Sequence, residues 1–133
     1  MVHRYSDTVD SRHRILVVDD EYAVREGIAR ALRRDERYEV ETAADAIETG
    51  LKIATFHPDL VILDVVMPGM GGIEICERIR QASDSEETKI IILTGFPGDG
   101  NREKSLIHGA DVFLSKPQSA ADLQAHVREL LQV

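Results

Sequence analysis

Five short strand-like runs, each followed by a stretch with helical periodicity, constrain this chain more than anything else in its sequence. Four of the runs are continuously apolar: Ile15 to Val18, Leu60 to Leu63, Ile90 to Leu93 and Val112 to Leu114. The fifth, Tyr38 to Thr42, alternates and is the weaker one. Continuous β-branched runs bounded by polar residues suit strands buried on both faces, as in a parallel sheet. Between them, Val24, Ile28 and Leu32 recur at helical spacing, and Ile47, Leu51 and Ala54 form a second stripe weakened by Gly50. Ile73, Cys76 and Ile79 make a third, and Leu123, Val127, Leu130 and Leu131 a last one, with Ser119 as its N-cap. A short helix over Asn101 to His108 is closed by Gly109. The order β-α, five times over, predicts a doubly wound α/β domain with helices on both faces of a parallel sheet.

Composition bounds the rest. At 133 residues one domain is expected, and 43% hydrophobic residues suffice for a core. Residues 1–13 are polar and aperiodic and read as a flexible N-terminal extension, leaving 14–133 as the domain. The balance of 16 basic against 24 acidic residues gives a net charge of −8, which argues against a direct nucleic-acid surface. No run approaches a membrane span, and the N-terminus lacks the apolar core of a secretory signal. A cytoplasmic protein is therefore expected. The single cysteine, Cys76, excludes an internal disulfide and reads as a small core residue. The five histidines form no i, i+3 or i, i+4 pair and so no zinc motif. Arg33, Arg34 and Arg37 stand beside Asp35 and Glu36 and read as a solvated helix end.

In open parallel sheets, sites form beyond the carboxyl ends of the strands. The first strand ends in Asp19, Asp20 and Glu21, the third in Asp64, the fourth in Thr94 and Gly95, and the fifth in Ser115, Lys116 and Pro117. Three aspartates, a hydroxyl and an amine thus converge on one edge. Clustered carboxylates repel and raise one another's pKa, and a hard cation such as Mg²⁺ relieves this. A carboxylate is also a nucleophile able to form an aspartyl phosphate, with cation, ammonium and hydroxyl stabilising the phosphoryl charge. Asp64 stands alone on the central strand and is the candidate nucleophile; Asp19 and Asp20 form a cation-binding pair.

These segments resemble the receiver (CheY-like) domains of two-component response regulators. The matching pieces are Ile15 to Glu21, Leu60 to Pro68 followed by Gly72, Ile92 to Gly95, and Phe113 to Pro117, and the likeness spans about residues 13 to 132. The resemblance implies a five-stranded sheet in the order 2-1-3-4-5 with five helices. It implies that Asp64 accepts a phosphoryl group from a sensor histidine kinase, or from a small donor such as acetyl phosphate. By the same resemblance, Asp20 and Asp64 bind Mg²⁺ directly, Asp19 acts through a water, and the main-chain carbonyl of Val66 completes the protein ligands. Main-chain N–H groups of Val66 and Gly95, with Lys116, hold the phosphoryl oxygens. The Lys116–Pro117 bond is cis, and Thr94 and Phe113 form a switch pair. That pair repacks the surface of the fourth helix, fifth strand and fifth helix for partner binding. Apart from phosphoryl transfer to and from itself, such a domain is not an enzyme.

Some residues depart from the family pattern. Gly71 stands where many relatives carry Asp or Asn, which affects loop stiffness more than chemistry. The loop Gly95 to Asn101 holds three glycines and a proline, without Rossmann or Walker spacing. Bulky Val66 and Phe96 flank the site and are expected to lengthen the phosphoryl lifetime. Met67 and Met70 read as packing residues.

Three further readings stay open. The chain passes its phosphoryl group to a histidine phosphotransfer protein, or signals by contact to a downstream protein target, or is a receiver excised from a longer regulator with an output domain. A phosphorylation-dependent homodimer is compatible with each. A haloacid-dehalogenase-type phosphatase is disfavoured because Val66 stands where a second Asp is needed. A flavodoxin-like FMN site is disfavoured because Asp19, Asp20 and Glu21 repel phosphate.

Overall fold

A computed structural model describes residues 12–65, 71–81, 87–95, 98, 100–116 and 118–132, with the backbone alone at position 101. Among them the order is β1 (His13–Val18), α1 (Tyr22–Arg33), β2 (Tyr38–Ala43), α2 (Ala46–Phe56), β3 (Leu60–Leu63), α3 (Gly72–Gln81), β4 (Lys89–Thr94), α4 (Asn101–Ile107), β5 (Val112–Ser115) and α5 (Ala120–Leu131). The strands form one parallel sheet in the order β2-β1-β3-β4-β5. No helix among the described residues is long and apolar enough to cross a membrane.

The continuous apolar runs are buried on both faces, as their composition predicts. Ile15, Leu16, Leu60, Leu63, Ile90, Ile91 and Ile92 are all fully inaccessible. Each such side chain contributes about 2 kcal/mol by leaving water. Alternate residues feed two cores. Leu16, Val18, Val61, Leu63, Ile90 and Ile92 pack with Ile75, Cys76 and Ile79 of α3. Ile15, Val17, Leu60, Ile62 and Ile91 pack with Ala29 and Leu32 of α1 and with Leu123 and Val127 of α5. β1 starts earlier than its apolar run because His13 and Arg14 still pair with Tyr38 and Glu39 on β2.

Helix starts follow local chemistry. Asp45 accepts from the Glu48 N–H at 2.8 Å, while Glu48 accepts from the Ala44 N–H at 2.6 Å, a reciprocal cap. Ser119 caps α5 as expected, accepting from the Asp122 N–H at 3.0 Å. Gly109 follows α4 at φ +111°, where a Cβ would lie 2.7 Å from Arg80 Cγ. Through that gap the Arg80 guanidinium donates to the carbonyls of Gly109 and Thr88 and to Asp111, tying α3 to the start of β5.

The stripe expected to bury α2 is corrected. Ile47 is 87% exposed and Leu51 60%, and Ala54 is exposed as well. The inward face carries Thr49 and Phe56, with Ala46 and Ile53 packed against the core. Buried Thr49 is tolerated because its hydroxyl donates to the Asp45 carbonyl at 2.7 Å.

Candidate functional site

Strand register delivers the acidic residues together. Val18 is in register with Leu63, so Asp19 and Asp64 leave neighbouring strands side by side. Thr94 is in register with Ser115, and the Lys116 N–H donates to the Thr94 carbonyl at 2.7 Å. Lys116 therefore leaves β5 level with the end of β4. Its Nζ reaches across and donates to Asp19 Oδ2 at 2.7 Å and to Asp64 Oδ2 at 3.0 Å.

Both carboxylates are buried; the Asp19 side chain is 3% exposed and that of Asp64 8%, against 19% for Lys116. Burial lowers the Lys116 pKa, but hydrogen bonds to Asp19 and Asp64 outweigh it, and the net shift is upward. The ammonium is thus firmly charged and offsets one of two buried negative charges. The second oxygen of Asp19 accepts from the Glu21 N–H at 2.9 Å, which fixes the carboxylate.

Asp20, by contrast, is exposed. The donor set of Asp19, Asp20 and Asp64 consists of hard carboxylate oxygens, which suits Mg²⁺ chemically. Among the described residues, no three His, Cys, Asp or Glu side chains are gathered closely enough to hold a metal ion. Thr94 ends β4 fully buried, and Gly95 after it is exposed. Phe113 is half-buried and packs on the α3 side of the sheet. It is in register with Ile92, so Thr94, two residues further along β4, points to the same face. Val66, Phe96, Met67, Met70 and Pro117, with the expected metal-binding carbonyl and cis bond, lie outside the described residues.

Two contributors escape a reading by strand ends. Arg25, one turn into α1, donates from Nη1 to the Asp19 carbonyl at 2.9 Å. The signal for it was a lone cation four residues after Glu21. Gly72 opens α3 against the Asp64 backbone: a Cβ there would collide with the Asp64 carbonyl and lie 2.7 Å from Leu63 Cδ1. Cys76 is fully buried, and burial pushes its thiol up to about 11, so it is an inert core residue.

Comparison with known proteins decides the family. The model of the response regulator receiver domain matches residues 15–128. The chain belongs to this receiver-domain family. Response regulator MprA of Mycobacterium sp. (strain KMS) is 42% identical over 119 residues, covering 90% of this chain and 50% of that protein. MprA of Mycobacterium avium (strain 104) is 41% identical, covering 90% of this chain and 51% of that protein. The chain thus spans about half the length of these curated relatives. A CheY-like receiver domain protein from Methanospirillum hungatei JF-1 superposes with a TM-score of 0.85 at 35% identity, covering 91% of this chain and 94% of that one. Chemotaxis response regulator CheY4 of Vibrio cholerae gives 0.82 at 31%, covering 90% and 98%. The receiver domain is a signalling module of two-component systems rather than an enzyme in the ordinary sense.

Proposed function

We propose that this receiver domain is a phosphorylation switch in which Asp64 is the phosphoacceptor. The observation that carries the reading is the Lys116 ammonium, held between the buried carboxylates of Asp19 and Asp64. An Asp64 oxygen attacks the phosphorus of a phosphohistidine on a sensor histidine kinase. The P–N bond breaks, its electron pair returns to the imidazole, and a P–O bond to Asp64 forms. Lys116 then turns to a phosphoryl oxygen, and the Thr94 hydroxyl and Gly95 N–H supply further donors. Asp19, Asp20, Asp64 and the Val66 carbonyl are the groups that would hold Mg²⁺, which when bound supplies the countercharge for carboxylates and phosphoryl oxygens.

Thr94 and Phe113 share a face of the sheet, and this supports their pairing as the switch. When the Thr94 hydroxyl shifts toward the phosphoryl group, the half-buried ring of Phe113 gains room to turn inward. The surface formed by α4, β5 and α5 repacks as a result. Because the curated relatives are about twice as long as this chain, the surface serves an output domain or a separate target protein. Intact mass after incubation with acetyl phosphate tests the reading. One phosphoryl group is expected with Mg²⁺, and none without it or in Asp64→Asn; an equal gain in Asp64→Asn overturns the assignment.

A further inference from the structure

On the face of the sheet that carries α2 and α3, an apolar groove of about 600 Å³ runs between the two helices. α2 meets it with Ala46, Thr49, Gly50 and Ala54, whose small side chains leave the interval unfilled, while Ile53, Ile75 and Ile79 supply apolar lining. Ile47 also lines it at 87% exposure, and Leu51, one turn along, stands 60% exposed just outside. On α3, exposed Arg78 lines the groove, and its guanidinium has no hydrogen-bond or ion-pair partner among the described residues.

These features discriminate between occupants. A small apolar ligand fills the groove but leaves Leu51 and the outer surface of Ile47 in water. An α-helix, about 10 Å across, covers both, and the 11 residues of α2 give it a bed of about 16 Å, or three turns. The polar group set into the apolar lining on the α3 side is the Arg78 cation, which selects a carboxylate.

We propose that the groove between α2 and α3 docks an amphipathic helix of a partner protein, apolar face down, with a carboxylate on its flank opposite Arg78. The site uses none of the residues assigned to phosphoryl transfer. This is the helix-in-groove mode of recognition.

The test titrates the full ¹⁵N-labelled chain with two synthetic helical peptides that share a Leu/Ala face. One carries Glu along its flanks and the other Lys. The Glu peptide is expected to bind about threefold to fivefold tighter, the worth of one exposed ion pair. Its amide shifts are expected to map to α2 and α3. Arg78→Glu is expected to reverse the preference, and Ile47→Asp to abolish binding of both. Both side chains are exposed, so the variants keep the fold, which their melting curves verify. The net charge of the chain alone favours the Lys peptide, so a Lys preference in the unaltered protein overturns the proposal. So do an absence of shifts at α2 and α3 with either peptide, occupation of the groove by decanoate alone, or self-association that moves the same amides.

Discussion

Lys116 Nζ stands 3.0 Å from Asp64 Oδ2, joining residues that leave β5 and β3 on either side of β4. The same ammonium is 2.7 Å from Asp19, so one cation serves two buried anions.

Removing the cation is expected to be costly. Lys116→Met removes the ammonium shared by the buried Asp19 and Asp64 carboxylates and is predicted to destabilise the domain by about 2 kcal/mol in urea denaturation. Asp64→Asn removes one of the two buried carboxylates that share the Lys116 ammonium and is predicted to raise the melting temperature. In the parent protein the Lys116 pKa is raised on folding. Its stabilisation is therefore fully present below the ordinary value near 10.5 and is lost as pH rises through the higher folded value. Lys116→Met is predicted to lack that alkaline loss. An unchanged alkaline limb contradicts the pairing.

Gly72 is predicted to be intolerant of even one methyl group. Its Cβ position is taken by the Asp64 carbonyl and Leu63 Cδ1, so Gly72→Ala must displace the Asp64 backbone. A loss of about 3 kcal/mol is expected, together with slower phosphorylation by acetyl phosphate. Gly50, with open space around its Cβ position, serves as the control, and Gly50→Ala is predicted to stabilise α2.

The two faces of α2 make a sharp comparison. Ile53→Ala, on the packed side, is predicted to cost about 2 kcal/mol. Ile47→Ala, on the exposed side, is predicted to stay within about 0.5 kcal/mol. Equal costs contradict the helix orientation.

That helix also shows where the sequence was and was not legible. Leu60–Leu63 is a strand with the bounds its apolar run predicts, because burial on both faces leaves no polar residue inside it. For α2, two stripes of similar hydrophobicity compete. Ile47, Leu51 and Ala54 carry more apolar surface than Ala46 and Thr49, yet the reciprocal cap at Asp45 and Glu48 fixes the start, and Ile53 and Phe56 face the core. Periodicity alone does not see a satisfied buried hydroxyl such as Thr49. At the candidate site, strand ends brought Asp19, Asp64, Thr94 and Lys116 to one edge from sequence alone. The unequal burial of Asp19 and Asp20 was not legible, since it depends on Lys116, which lies 97 residues further along the chain.

Away from the site, Asp35 carries a distinct pH signature. Hydrogen bonds from the Arg37 side chain, the largest influence, and from its backbone lower the Asp35 carboxyl from 3.8 to about 2. The stabilisation is present above the unfolded value and is lost as pH falls toward about 2. A ¹³C titration of the carboxyl carbon is expected to show this midpoint, and Arg37→Ala to return it to the ordinary range.

The central claim is that Asp64 carries the phosphoryl group, and reductive trapping tests it most directly. Phosphorylated protein treated with borohydride and digested is predicted to yield homoserine at position 64 and at no other aspartate. Homoserine at position 19 or 20 with position 64 intact would contradict the account.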